Sequence, residues 1–266
     1  MPWRRAIPWL VAALAFDGCT TLPKGQDATA VATIHPGWQR VRAAAADAAR
    51  DPWVWAPLLG AAAFQVEHMD RKLSGWARGH TPVFGTTQDA VRWSNDLRSA
   101  SAIACGLTIF LAPGGDSPSE WVRARGQVLM VDLAAVGATS LMTLGLKDAA
   151  DRERPNAASN TSFPSGHSSA SAAYTRLAME NLESMPLGRT SRRWLDGGLA
   201  ALTAGTAWAR VEAGAHFPSD VLAGVALGNF LADFFNGAFL GHGDADAPVA
   251  FSVTPDGAML EWRRAF

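Results

Sequence analysis

The chain is 266 residues long and 48% of them are hydrophobic, enough to bury a sizeable core and to exclude disorder as the main state. Its 23 Lys+Arg balance 24 Asp+Glu to a net charge of −1, so the electrostatic case for a nucleic-acid binder fails and any anion must be held by a local cluster. Two cysteines, Cys19 and Cys105, can build neither a disulfide scaffold nor a four-cysteine zinc module, and a charged fraction of 18% sits between soluble and intramembrane proteins.

Taken in chain order, residues 1–19 read as an export signal: Arg4 and Arg5, then the apolar run 6–16, then Gly18-Cys19. The run is too short to span a bilayer. Phe16-Asp17-Gly18-Cys19 also resembles a bacterial lipoprotein processing site, which would make Cys19 the lipidated residue and place the protein in the bacterial cell envelope, associated with the membrane and facing the periplasm. Residues 20–50 read as a tether followed by a short surface helix at 40–50. The folded body is expected over 51–240, with helices near 53–66, 87–112, 119–147, 165–182, 191–210 and 219–239, broken by stretches such as Ala112-Pro113-Gly114-Gly115 and Ser184-Met185-Pro186. The predicted fold is therefore an all-α bundle of about six helices. The tail, 241–266, alternates over 250–262 around Thr254-Pro255-Asp256-Gly257, the pattern of a small β-hairpin.

Two of these helices are long enough to cross hydrocarbon. Segment 128–146 carries Asp132 as its one charge and segment 221–240 carries Asp233, and each aspartate must face the bundle interior. A membrane-associated bundle is the preferred reading over a freely soluble one. The chain has 11 Trp, and Trp53, Trp55, Trp76 and Trp93 fall near helix ends, where a bilayer interface would suit them, although core packing is the commoner use of such side chains.

The chemistry lies in three clusters at helix ends. Lys147 to Pro155 follows the long apolar helix, Phe163-Pro164-Ser165-Gly166-His167 opens the next, and Arg210 to Asp220 joins the last two. Breaking a phosphate ester without a metal requires fixed cations on the three equatorial oxygens, and Lys147, Arg154 and Arg210 supply both a point charge and planar forks. Ser165 and Gly166 at a helix start add backbone N–H groups for the phosphate. Of the two histidines, His216 has Asp220 four residues on, close enough to accept the Nδ1 hydrogen and free Nε2 for attack on phosphorus, while His167 would protonate the leaving alkoxide. Asp148, Asp151, Arg152 and Glu153 read as a solvated loop, and His35, His68, His80 and His242 as surface or structural residues.

Lys147 with Arg154-Pro155, Pro164-Ser165-Gly166-His167, and Arg210 with His216 and Asp220 together resemble the type 2 phosphatidic acid phosphatase superfamily, with every spacing inside the clusters fitting. One position departs: Ala209 stands where that family usually has Ser. The resemblance spans roughly residues 51–240 and implies a helical bundle with the site at one end and metal-independent hydrolysis through a phosphohistidine. It also implies Lys147, Arg154, Ser165, Gly166 and Arg210 on phosphate, His167 as acid, His216 as nucleophile and Asp220 as its orienter, with no cofactor. The substrate would be a lipid phosphate or pyrophosphate, or for a soluble variant a small phosphoester. The haloperoxidases that share these clusters hold vanadate in place of phosphate, and an inactive membrane scaffold is the non-enzymatic alternative.

Overall fold

The computed structural model describes residues 32–33, 35–114, 117–241, 249–254 and 257–262; the export signal, Cys19, most of the tether and His242 lie outside them. Eight helices are present among the described residues: α1 Trp38–Arg50, α2 Pro52–Ala63, α3 Met69–His80, α4 Thr87–Leu111, α5 Pro118–Ala150, α6 Gly166–Glu183, α7 Arg189–Glu212 and α8 Pro218–Phe235, the last running into a π turn at Asn236–Leu240. The tail pairs β1 Val249–Thr254 antiparallel with β2 Gly257–Trp262, as its alternation predicts. The expected helices occur within a few residues of their predicted bounds, and 40–50 is indeed helical as part of α1.

The sequence reading missed α3. Its composition is polar, and it is set off by left-handed residues at both ends, Glu67 and His68 before it and Thr81 after it. Such φ values end a helix for a non-glycine residue and hide the element from a periodicity search.

The bundle is organised around α6, which packs against α4, α5, α7 and α8. Its face is built from small residues, and α8 answers with glycines. A Cβ on Gly224 would lie 2.6 Å from the Ser165 carbonyl oxygen, and one on Gly228 would lie 2.2 Å from the Ser169 carbonyl oxygen. Only glycine permits that backbone approach. The main core, with Cys105, Ile109, Ala135, Leu177, Leu182, Leu199 and Ala232, lies along α4 to α8.

Two helices are apolar on the outside and polar within. On α5 the buried residues include Arg125, Asp132, Thr139 and Thr143, while Met130, Leu133, Leu141 and Leu144 are exposed. On α4 the pattern is partial: Ser94, Ser101 and Thr108 are buried alongside Ala90, Cys105 and Ile109, and the outer face turns apolar only from Ile103 on, at Ile103, Leu107 and Phe110, after exposed Arg92, Asn95, Asp96 and Ser99. A helix packed on a protein core in water shows the opposite arrangement. Asp132 points inward as predicted, accepting from Asn181 Nδ2 at 3.2 Å, and Asp233 pairs with Arg176. Trp53, Trp55, Trp76 and Trp93 are 37–49% exposed, so core packing is not what places them.

Candidate active site

Helices α5 and α7 end, and α6 and α8 begin, at the same end of the bundle, which gathers the three clusters. Lys147, in the last turn of α5, donates from Nζ to the carbonyls of Thr161 at 2.6 Å and Pro164 at 2.7 Å, stapling the loop that precedes α6. Burial, then the neighbouring Arg154 and Arg210, lower its pKa to about 8, with Asp220 pulling the other way. Arg154 donates from Nη2 to Thr161 Oγ1 at 3.1 Å, and Arg210 from Nη1 to Ser94 Oγ at 3.3 Å. The Nε of each guanidinium is buried with no hydrogen-bond partner. Buried donors are ordinarily satisfied, so two orphaned N–H groups in one cationic cluster mark where an anion belongs.

Ser165 is fully buried and caps α6: its Oγ accepts from Ser168 N at 3.4 Å and from Ser168 Oγ at 3.0 Å. Its own amide donates to the Asp220 carbonyl at 3.0 Å, so among the described residues the amides left without an internal partner in the first turn are those of Gly166 and His167. Gly166 sits against the cationic cluster, since a Cβ there would lie 3.9 Å from Lys147 Cε and 3.5 Å from Thr143 Cγ2, ordinary contacts both. Packing alone does not demand glycine at that position.

His216 is 2% exposed, and its Nδ1–H donates to the backbone carbonyl of Ser162 at 2.6 Å. A carbonyl can only accept, so the neutral ring carries its proton on Nδ1 and leaves the Nε2 lone pair free. Burial first, then Arg210, Lys147 and Arg154, hold its pKa well below the ordinary imidazole value. His167, in the first turn of α6, donates from Nε2 to Asn95 Oδ1 at 2.8 Å. Burial and the charges of Arg210, Arg98, Arg154 and Lys147 push its pKa down to about 4. That Lys147, Arg154 and Arg210 all bear on both imidazoles places the six charged and titratable groups, Asp220 included, at one locus.

The predicted contact between Asp220 and His216 is not made. Asp220 Oδ2 accepts from Ser162 Oγ at 2.5 Å and from the Phe217 amide at 2.8 Å, and Oδ1 accepts from Arg152 Nη1 at 2.6 Å. Four residues along, the chain has entered α8 and the carboxylate folds back to cap that helix, leaving Nδ1 to the loop carbonyl. Arg152 is correspondingly no solvated loop residue. It bridges Asp220 and Asp70, the latter at 2.8 Å, donates to Ser219 Oγ at 2.9 Å, and lies 4.4 Å above the Phe217 ring.

Sequence reasoning also missed Ser162, Asn95, Arg98 and Asp70. Of these, only Arg98 and Asp70 carry charge, and no spacing rule links α3 or α4 to a motif 60 or more residues away. Ala209, at the departing position, is fully buried in α7 next to Arg210. His35, His68 and His80 lie outside the site; His80 donates from Nδ1 to Trp76 O at 2.9 Å.

Residues 129–239, which contain all three clusters, match the family model described as PAP2 superfamily. That segment is similar to the PAP2 superfamily. No curated protein gives a match to the sequence. Among solved structures, a transmembrane PAP2-type phosphatidylglycerolphosphate phosphatase from Bacillus subtilis is similar, at 23% identity and a TM-score of 0.52, over 70% of this chain and 92% of that one. At that identity the likeness speaks for the fold: both chains share the all-α PAP2 architecture.

Proposed function

We propose that this protein is a metal-independent phosphatase of the PAP2 kind that hydrolyses phosphate monoesters or pyrophosphates of lipids through a phosphohistidine on His216. The observation that carries the reading is the free Nε2 of His216 beside buried, unpartnered guanidinium N–H donors of Arg154 and Arg210. Lys147, Arg154 and Arg210, with the first-turn amides of Gly166 and His167 that the Ser165 cap leaves open, hold the phosphoryl oxygens. Nε2 attacks phosphorus, the bond to the leaving oxygen breaks, and that oxygen takes its electron pair and the proton of His167. Water then attacks phosphorus, His167 takes the proton of that water, and the P–N bond breaks to restore His216 and release phosphate.

The low pKa of both histidines belongs to the site without an anion. Burial first and then the neighbouring cations depress His167; a bound phosphate dianion offsets the cations, so substrate binding itself favours the protonated acid. Asp220 acts on His216 through Ser162. The lipid preference rests on the outward apolar faces of α4 and α5, and those faces support a location at a membrane; an export signal over 1–19 and a lipidated Cys19, placing it in the cell envelope, are part of the same proposal.

The test is turnover of an aryl phosphate by the purified full chain in EDTA, with acid-sensitive phosphoprotein trapped by a basic quench. Turnover is expected in EDTA, with a trapped phosphoprotein that His216→Ala lacks. A requirement for a divalent metal, or retained activity in His216→Ala, overturns the reading.

A further inference from the structure

Asn95 reaches His167 from α4, a helix that contributes nothing to the three clusters, and its geometry decides which atom of that imidazole can move a proton. Two buried serines fix its level in the bundle. Ser94, the preceding residue, accepts from Arg210 Nη1 at 3.3 Å, and Ser101, two turns on, shares a 2.8 Å bond with Ser171 of α6. Between them Leu97 lies against α7, where a Cβ on Gly205 would come within 3.0 Å of its Cδ1. Held in this way, Asn95 presents Oδ1 to His167 Nε2 at 2.8 Å.

An amide oxygen can only accept a hydrogen bond. The charged groups that bear on the same ring are Arg98 from α4, Lys147 in the last turn of α5, Arg154 from the loop after it and Arg210 from α7. All four are cations that donate and never accept. Among the described residues, Asn95 Oδ1 is therefore the acceptor the ring finds, and Nδ1 has no hydrogen-bond partner. The neutral imidazole keeps its proton on Nε2 and its lone pair on Nδ1. His216 is fixed the opposite way, with its proton on Nδ1 and Nε2 free.

We propose that Asn95 is a positioning residue that locks His167 in the Nε2–H form, so that Nδ1 is the atom that gives a proton to the leaving oxygen and takes one from the attacking water. The chemistry of this assignment rests on the phosphatase reading above, whereas the tautomer is a property of the resting protein. A bound phosphate ester brings the acceptor oxygens that the cations lack, so Nδ1 gains its proton when a substrate is there to receive it. In the first step the P–O bond breaks, its electron pair stays on the leaving oxygen, and the Nδ1 proton moves to that oxygen. The ring returns to its neutral Nε2–H form. In the second step water oxygen bonds to phosphorus, Nδ1 takes one proton of that water, and the P–N electron pair returns to His216 Nε2. The bond from Nε2 to Asn95 persists through both steps, so the ring need not turn between acting as acid and as base.

The chain has six histidines, which makes nitrogen NMR of the labelled full chain in detergent a direct test. His167, assigned by the signal that His167→Ala removes, should show a protonated Nε2 and a bare Nδ1 at neutral pH. In Asn95→Asp a carboxylate faces Nε2–H, and the imidazolium should persist to a pH about one to two units higher. The alkaline limb of kcat on an alkyl phosphate should move up with it. In Asn95→Leu the Nε2–H loses its acceptor, and the ratio of kcat on an alkyl phosphate to kcat on dinitrophenyl phosphate should fall about tenfold at constant KM. An asparagine that served packing alone would lower Tm and slow both substrates alike, with neither titration moved, and that result would overturn the proposal. So would an Nδ1–H tautomer of His167 in the wild type, with the amide turned to donate. A full chain that turns over no aryl phosphate would sink the phosphatase reading instead, and the tautomer measurement would still decide the role of Asn95.

Discussion

Asp220 reaches His216 only through Ser162, whose hydroxyl donates to the carboxylate at 2.5 Å and whose carbonyl accepts from the imidazole at 2.6 Å. The acid thus fixes the loop that fixes the ring. Asp220→Asn keeps the shape but weakens the bonds to Ser162 and Arg152, and Ser162→Ala removes the hydroxyl while leaving the carbonyl. We expect kcat to fall about 100-fold in Asp220→Asn and about 10-fold in Ser162→Ala, with KM nearly constant, because both act by positioning rather than by holding phosphate. An undiminished kcat in Ser162→Ala beside a large loss in Asp220→Asn would mean that the carboxylate does not act through that hydroxyl.

The leaving group reports on His167. If His167 protonates the departing oxygen, its loss matters in proportion to how badly that oxygen needs a proton. His167→Ala should cost about 10²- to 10⁴-fold in kcat on an alkyl phosphate and far less on dinitrophenyl phosphate, whose phenolate departs unaided. Asn95→Ala frees the Nε2 proton from its 2.8 Å partner and should alter the alkyl reaction alone. A uniform loss across leaving groups would remove His167 from the acid role.

Lys147 sets an alkaline limit. With its pKa lowered to about 8, it is charged below that pH and neutral above, so its grip on phosphate weakens as pH rises through 8. The profile of kcat/KM, which reports the free enzyme, should fall on the alkaline side near there. Arginine keeps its charge throughout this range. In Lys147→Arg that limb should therefore vanish, at a lower plateau because a fork cannot reproduce the two bonds to the Thr161 and Pro164 carbonyls. An unchanged limb would assign it to another group.

Glycine packing couples stability to the site. Gly228 meets the Ser169 carbonyl and the Ala173 amide, and Gly224 meets the carbonyl of Ser165 itself. Because the obstacles are backbone atoms, a methyl group at either position forces α6 and α8 apart, at about 1–3 kcal/mol or more. Gly228→Ala should mainly lower Tm. Gly224→Ala should in addition raise KM for phosphate esters, because it displaces the turn that presents the Gly166 and His167 amides. Loss of stability with unaltered KM in Gly224→Ala would separate the packing from the site.

What could be read from the sequence follows from how locally each feature is encoded. The helices α4 to α8 announce themselves by length and apolar content, and Lys147, Arg154, His167, Arg210 and His216 by spacing within clusters that each occupy one turn or loop. Asp220 shows the limit of the method: its separation from His216 is correct, yet which atom it meets depends on Ser162, 58 residues upstream. Arg152 looks like one more charge in an acidic loop until Asp70 arrives from α3, a helix whose polar sequence gives no periodic signal. Asn95 and Arg98 come from α4 in the same way, through tertiary packing alone.

The inverted faces of α5 make the membrane reading testable without reference to catalysis. Met130, Leu133, Leu141 and Leu144 lie along one stripe that the bundle leaves uncovered, while Asp132, Thr139 and Thr143 occupy the buried side. In water that stripe is a liability. Against hydrocarbon each such side chain gains on the order of 1.5–3 kcal/mol on full burial, and the inward polar groups are those that lipid could not satisfy. Replacing Leu133, Leu141 and Leu144 together by glutamine should therefore shift the full chain from the membrane fraction toward the soluble one. Aryl phosphate turnover in detergent should persist, since all three side chains are exposed on the face opposite Asp132, Thr139 and Thr143. The same triple change in a water-soluble bundle would leave partitioning as it was, and that result would return α5 to an ordinary surface helix.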